Sequence, residues 1–201
     1  MQFKNNLFLL GYSFAFQFSF GKAINISLLI AKKPTKSTMG VTSRCVDGKH
    51  VLFFDWDGLT FEEVISEIAY LQGYYKLSNF YIFELNVFDS FHGICLDKFN
   101  LYDAVEIVSN SSADRGFKKA PFLFKKKRWV LRTEKKGERD TPRFRCEIKS
   151  LNNEFSKSTA HKIFLEQHYK IKIGKLKYED GFNDTIELIQ YDTGNRTKKV
   201  L

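Results

Sequence analysis

The chain has 201 residues, 43% of them hydrophobic, so it can bury one core of ordinary size. It contains only 3 Pro, which argues against long disordered linkers. Its 3 Cys are dispersed and form no zinc-binding pair, which is typical of a protein from a reducing compartment, and we expect it to be cytoplasmic. The net charge of +9 favours a phosphate-rich partner.

The first 46 residues are predicted to form strands rather than a targeting segment. Apolar and polar residues alternate strictly over 12–20 with the period of a half-buried strand, and the apolar run 7–10 precedes them. The same stretch is too short and too polar to span a membrane, so no membrane partner is expected. This N-terminal extension is predicted to contain a strand over 7–20, a turn over 21–22, a strand over 23–31 that completes a β-hairpin, a loop over 32–40 and a strand over 41–46.

The middle of the chain, residues 47–149, alternates strands and helices. Asp47-Gly48 is a hairpin turn signal, and Thr60 with Glu63 is a capping box before an amphipathic helix, which Gly73 is expected to close. The predicted order is strand 51–55, helix 60–71, strand 80–85, strand 91–96, helix 99–109 and strand 128–132, with residues 144–148 pairing back on the last strand. This β-α-β-β-α-β order is that of the ferredoxin-like or RRM-like fold.

Residues 150–201 are predicted to form an α/β extension packed on the same domain. Ser158 is a candidate N-cap for a helix over 159–169, and two strands are expected after it, over 170–178 and 185–191. The fold class is therefore predicted to be α+β, a ferredoxin/RRM-like palm with an N-terminal β-hairpin and a C-terminal α/β extension.

Two carboxylates stand at the end of the first strand of this palm. Asp55 and Asp57 are one residue apart, so their side chains point to the same face and can offer oxygens to a hard divalent cation. The first and third strands are neighbours in this fold, so His92, on the third strand, would lie beside Asp55 and Asp57. A His at that position could contact a nucleotide phosphate. The plainer alternative is that both Asp cap the following turn and that His92 is a hydrogen-bonded sheet residue.

Basic residues are concentrated between Arg115 and Arg145. This stretch holds 13 Lys and Arg against three acidic residues, an excess greater than that of the whole chain. Such a block suits nucleic acid, although a solvated surface loop has the same composition. The predicted nucleic-acid contacts are Lys118, Lys119, Lys125, Lys126, Lys127, Lys135 and Lys136.

The strand Phe53-Phe54-Asp55-Trp56-Asp57, a helix, and a strand hairpin with Ser90-Phe91-His92 together resemble the archaeo-eukaryotic primase superfamily over about residues 51–145. This superfamily covers primases, primase-polymerases of plasmids and viruses, and polymerase domains of bacterial end-joining ligases. The resemblance implies a nucleotidyltransferase, a primase or polymerase, that acts in the replication of a small genetic element. Its expected partners are a single-stranded DNA template, nucleotide triphosphates, and a helicase or other replication protein.

The resemblance also implies roles for individual residues. Asp55 and Asp57 would bind catalytic Mg²⁺ or Mn²⁺, and Ser90 and His92 would contact the phosphates of the incoming nucleotide. Template or triphosphate contacts would come from a further basic set, namely Arg128, Arg132, Lys135 and Lys136. The family's third acid is expected at Asp114, with Glu134 as the alternative. If neither reaches the site, the chain is a diverged, non-catalytic replication initiator of the same fold that binds single-stranded nucleic acid.

Two other enzyme classes share parts of this pattern. The stretch from Phe53 to Thr60 also resembles the first motif of haloacid-dehalogenase phosphatases, in which Asp55 would be the nucleophile and Asp57 the general acid/base. Leu59 departs from that motif, and one helix between residues 51 and 96 gives too few crossovers for its parallel sheet. Rolling-circle nickases need a His-x-His pair, which the 4 His of this chain do not form, and their catalytic Tyr lies on a helix, whereas Tyr74-Tyr75 is predicted to follow one.

Overall fold

A computed structural model describes the chain over residues 2–9, 12–19, 25–32, 37–85, 89–122, 126–136, 139–181 and 185–192, with side chains described between residues 38 and 189 of these ranges. The chain divides into two compact units, residues 1–38 with 191–201, and residues 39–190. Lys125, most of the predicted turn over 86–89 and the basic tail lie outside the described residues.

The first unit contains a three-stranded antiparallel meander. Its strands are β1 (Gln2–Leu9), β2 (Tyr12–Ser19) and β3 (Asn25–Lys32), in the order β1-β2-β3. The single strand predicted over 7–20 is wrong, because the chain reverses between Leu9 and Tyr12, which face each other in the pairing. The strict alternation begins only at Tyr12, so it covers β2 and not β1, and the predicted single strand joins the apolar run 7–10 to it.

The second unit is α+β, with a seven-stranded sheet and four helices. Its sheet order is β10-β4-β5-β7-β6-β9, with β8 also paired to β4. The elements are β4 (Ser37–Cys45), β5 (His50–Asp57), α1 (Phe61–Tyr75), β6 (Phe80–Glu84), β7 (Ser90–Phe99), α2 (Leu101–Ser109), α3 (Arg115–Lys118), β8 (Val130–Arg132), β9 (Arg143–Ile148), α4 (Thr159–Tyr169) and β10 (Ile186–Asp192).

The centre of this sheet is a split β-α-β unit. Strand β7 lies between β5 and β6 and is antiparallel to both. The prediction that the first and third palm strands, β5 and β7, are neighbours is therefore confirmed. The outer strands differ from the prediction. β8 pairs with β4, through Val41 and Leu131, and β9 pairs with β6 instead of turning back on β8. The reason is that β4, which begins within the predicted 32–40 loop, meets β5 at Arg44 and His50 and occupies its edge.

Helix α1 begins as predicted and ends later. The Thr60–Glu63 capping box is present, and the face that includes Val64 and Ile68 is buried. The helix continues through Gly73 and ends where Lys76 adopts φ 57°, so Gly73 is an interior residue and Tyr74-Tyr75 lies on the helix. A lysine, not the glycine, therefore supplies the left-handed C-cap.

Helices cover both faces of the sheet. On one face Trp56 of β5 donates from Nε1 to Glu67 of α1 (3.3 Å), and the segment after α2 lies against the same helix, since the Ser112 amide donates to Glu67 (2.7 Å). On the other face α4 packs its aromatic residues on the sheet, with Phe83 and Tyr169 ring centroids 4.3 Å apart. Helix α4 therefore partly covers the face of β5 from which Asp55 projects, because Asp55 is in register with His92 and Phe83.

The C-terminal extension is joined to β7 by a buried ion pair. Asp97 and Lys157 are almost wholly buried, and Lys157 Nζ lies 3.3 Å from Asp97 Oδ1. Helix α4 and strand β10 are confirmed, but the strand predicted over 170–178 is wrong: those described residues form no strand, and Ile173 donates its amide to the Glu166 side chain (2.9 Å). No helix in the described part of the chain has the length and apolarity needed to cross a membrane.

Candidate functional site

The four residues of the two sequence motifs meet at one end of the β5–β7 pair. Asp55 lies opposite His92 and Asp57 opposite Ser90 in the register of these strands. The Ser90 hydroxyl donates to Asp57 Oδ1, and His92 Nε2 lies 3.5 Å from Asp55 Oδ1. Because side chains alternate along each strand, all four share one face.

Local chain geometry fixes this end of the sheet. Gly58, immediately after Asp57, has φ +79°, a conformation that L side chains rarely adopt. Its amide donates to the Asp89 carbonyl (2.6 Å), which joins the end of β5 to the start of β7. Asp57 is exposed, whereas the Asp55 side chain is 27% exposed and the His92 side chain 6%. Exposure therefore increases across the site, from the buried imidazole of His92 through Asp55 to the exposed carboxylate of Asp57.

Asp55 is the most perturbed acid of the site. Burial first, then the negative charges of Asp57 and Asp114, raise its pKa to about 7, against the opposing effect of Arg139 and Arg132. A carboxylate that is destabilised in this way gains from any cation placed beside it. The repulsion between Asp55 and Asp57 is what a divalent cation bound between them would relieve.

His92 is held in its neutral form. Burial first, then the positive charges of Arg132 and Arg139, lower its pKa to about 3. At neutral pH its contact with Asp55 is therefore between an uncharged imidazole and a carboxyl group. A neutral imidazole keeps one N–H donor, which can serve a phosphate oxygen or the carboxylate.

The third acid predicted from sequence lies next to the pair but is engaged elsewhere. The Asp114 amide donates to the Asp55 carbonyl (2.7 Å), which places α3 beside the site. The Asp114 carboxylate caps α3, accepting from the Phe117 amide (2.9 Å). Glu134, the alternative, has its backbone carbonyl bonded to Arg132 and an exposed side chain. Among the described residues no three His, Cys, Asp or Glu are grouped to hold a metal ion. The end of the β5–β7 pair itself offers the carboxylates of Asp55 and Asp57, which share one face.

The two predicted arginines have different surroundings. Arg132 is buried, and its Nη1 donates to the carbonyls of Glu134 (3.1 Å) and Asp140 (2.5 Å). Arg128 instead pairs with Glu187 of β10 (2.6 Å), and no described contact joins it to the motif residues. The charge of Arg132, unlike that of Arg128, therefore influences the pKa values of Asp55 and His92.

The predicted nucleic-acid lysines do not form one loop. Lys118 donates to the Ser111 carbonyl beside α3, and Lys135 lies 3.5 Å from Asp140. The basic block is distributed over α3, β8, the segment after it and β9. The other described lysines of the predicted set are exposed, namely Lys119, Lys126, Lys127 and Lys136.

Arg139 lies outside the motifs, yet its positive charge influences two of their residues. Its charge acts on both Asp55 and His92, although it lies more than 45 residues beyond His92 in the sequence. The sequence marks it only as one member of the basic block. Comparisons of the chain with protein-family models, curated proteins and solved structures found no match.

Proposed function

We propose that this protein is a primase/polymerase-like replication protein that catalyses metal-dependent nucleotidyl transfer on a single-stranded nucleic acid template. The observation that carries the proposal is the register of β5 and β7, which sets Asp55 opposite His92 and Asp57 opposite Ser90 on one face. Carboxylates for metals thereby stand beside a hydroxyl and an imidazole of the kind that contact phosphate.

The chemistry of these residues suits phosphoryl transfer. Asp55 and Asp57 would hold Mg²⁺ or Mn²⁺, which would activate the attacking hydroxyl and stabilise the leaving pyrophosphate. Ser90 holds Asp57 in place through its hydroxyl, and neutral His92 offers an N–H donor near the nucleotide phosphates. Asp114 supports the site through its charge and through its backbone bond to Asp55.

The fold is compatible with this proposal at the level of the central strands. The split β-α-β arrangement of β5, α1, β6 and β7 supports a ferredoxin/RRM-like palm, whereas the outer neighbour of β5 is β4, which precedes it in the chain. The exposed lysines of the basic block would bind the template backbone. Such a protein would work in the cytoplasm, in the replication of a virus or plasmid, beside a helicase or other replication protein.

Primer extension tests the proposal. We expect the protein, a single-stranded template, labelled nucleotides and Mg²⁺ or Mn²⁺ to give extended or newly primed product, and Asp55→Ala with Asp57→Ala to abolish it. Asp103→Ala, on the surface of α2, is the control that removes a carboxylate outside the site. Absence of product from the wild type contradicts the enzymatic proposal, and product from the double variant contradicts the site.

A non-catalytic binding module of the same fold is the second candidate, favoured by the use of the Asp114 carboxylate as a helix cap. Template binding that weakens steeply with salt, without synthesis, would identify it. The phosphatase alternative needs a parallel sheet, whereas β5 has antiparallel partners in both β4 and β7. Release of phosphate from a generic aryl phosphate by the wild-type protein would instead support the phosphatase alternative.

A further inference from the structure

Two tyrosines of α1 are stacked on the surface of the protein. The ring centroids of Tyr70 and Tyr74 lie 5.8 Å apart with 22° between the ring planes, as side chains four residues apart on a helix allow. The two residues are 54% and 67% exposed. Tyrosine is enriched among the residues that anchor protein interfaces, because its ring offers a large rigid area. This tyrosine platform is therefore a surface on which a ligand can pack.

An open groove adjoins the tyrosine platform. It has a volume of about 560 Å³ and lies between α1 and the chain that leaves α2, with Tyr70 and Ser112 among its lining residues. Two hydrogen bonds hold its walls together. The Ser112 amide donates to Glu67 (2.7 Å), and Asn110 Nδ2 donates to the Tyr75 hydroxyl (2.6 Å). The groove is thus preformed, so a ligand can enter it without the cost of ordering its walls.

The groove is negatively charged. Glu62, Glu63 and Glu67 line it, and none of its described lining residues is Lys or Arg. Glu63 is bonded to Thr60 in the capping box, and Glu67 accepts from Trp56. The Glu62 side chain is exposed, and within the described ranges its carboxylate has no hydrogen bond or ion pair. The groove therefore offers a carboxylate to a cation, although the chain as a whole has a net charge of +9.

We propose that the tyrosine platform and the groove form a docking site for an arginine-containing peptide segment of a partner protein. A guanidinium is attracted both by the faces of tyrosine rings and by carboxylates. The phosphates of nucleic acid would be repelled by the same carboxylates, so this surface has a different partner from the basic block.

The docking site lies on the face of the sheet opposite the candidate site. Glu67 of the groove contacts Trp56, and the side chains of Asp55 and Asp57 point the other way because side chains alternate along β5. A peptide in the groove therefore leaves both carboxylates accessible. Docking requires neither a metal ion nor catalysis.

Fluorescence anisotropy of a labelled Arg-Gly repeat peptide measures docking directly. We expect the wild type to bind this peptide and not a Glu-Gly repeat peptide, and the net positive charge of the chain disfavours non-specific binding of a cationic probe. Tyr74→Ala should weaken binding at least about 5-fold, the effect of removing an interface anchor. Glu62→Gln should weaken it about 2- to 5-fold, and Glu62→Lys more, because the charge is reversed at an exposed position.

Tyr102→Ala and Glu106→Gln are the matched controls on α2. Tyr102 is 86% exposed and Glu106 is exposed, and neither lines the groove, so both variants should bind as the wild type does. No binding by the wild type, equal losses in the controls, or unchanged binding in the Tyr74 and Glu62 variants would overturn the proposal. A single-stranded oligonucleotide that loses affinity in Tyr74→Ala would also overturn it, since the platform would then bind nucleic acid.

Primer extension separates this proposal from the enzymatic one. Peptide binding that depends on Tyr74 and Glu62, without synthesis, supports the docking site and contradicts the enzyme. Synthesis by a protein that does not bind the Arg-Gly peptide contradicts the docking site and leaves the enzyme intact.

Discussion

His92 lies directly across from Asp55 on the neighbouring strand, with Nε2 3.5 Å from Asp55 Oδ1, and neither group titrates at its usual pH. Burial is the leading cause in both, and it favours the uncharged form of each. A partly buried carboxyl group and a buried imidazole that face each other, both with shifted pKa values, are typical of functional sites. Their titration also makes the stability of the protein depend on pH.

Asp55→Asn should stabilise the protein at alkaline pH. The pKa of Asp55 is raised from 3.8 to about 7, so its contribution to stability is complete below pH 3.8 and is lost as pH rises through about 7. Asn mimics the protonated acid, and we expect a gain in unfolding free energy of roughly 2 kcal/mol at pH 8 and little at pH 4. Urea denaturation at several pH values measures it.

Asp47→Asn is the control with the opposite sign. Burial raises the pKa of Asp47, but the hydrogen bonds from Lys98 and the Lys49 amide outweigh it and lower the pKa below 3.8. Its contribution is therefore present above that pH and lost in acid, so the Asn variant should be less stable than the wild type at pH 8. A pH-independent difference in either variant would contradict the electrostatic assignment.

His92→Gln should reduce the loss of stability in mild acid. The pKa of His92 falls from 6.5 to about 3, so its contribution is present above pH 6.5 and is lost as pH falls toward 3. Between pH 6.5 and 5 we expect the wild type to lose about 2 kcal/mol from this residue, and the variant to lose correspondingly less. His50→Gln should act likewise, since burial and then Arg44 lower its pKa to about 4. Parallel stability curves for wild type and variants would exclude this origin.

Gly93→Ala should destabilise the protein and disturb the site from the opposite face of the sheet. A Cβ at Gly93 would lie 2.4 Å from Cζ3 and 2.6 Å from Cη2 of Trp56, so the indole must shift. We expect a loss of about 1–3 kcal/mol with a change in tryptophan fluorescence. Gly73→Ala is the matched control, because a Cβ there meets nothing within 4 Å and an interior helix position should gain about 0.5–1 kcal/mol. Equal effects at both positions would contradict the packing argument.

Asp97→Ala should be strongly destabilising, because it leaves Lys157 charged and buried. Asp97 also accepts from the Ser78 amide (2.8 Å) and hydroxyl (2.6 Å). We expect a loss of about 3–5 kcal/mol for Asp97→Ala or for Lys157→Met. The double variant should lose less than the sum of the two, which a thermodynamic cycle from denaturation curves measures. Strict additivity would show that the pair does not couple the extension to β7.

Local patterns predicted the elements that depend on neighbouring residues. The Thr60–Glu63 box predicted the start of α1, and Ser158 that of α4, because caps act within one turn. Prediction failed where the decision is non-local. The hydrophobic pattern over 7–20 did not reveal that the chain reverses between Leu9 and Tyr12. The apolar pattern over 170–178 did not reveal that the Glu166 side chain accepts a hydrogen bond from the Ile173 amide.

The sequence alone determines that Asp55 and Asp57 share a face, as do Ser90 and His92, since a strand has a period of two. Only the tertiary structure decides that the two pairs face each other, because register depends on contacts between strands far apart in the chain. It also decides the desolvation that shifts the pKa of Asp55 and His92. The pairing of β9 with β6, and of β8 with β4, is decided by contacts of the same long-range kind, which no local pattern encodes.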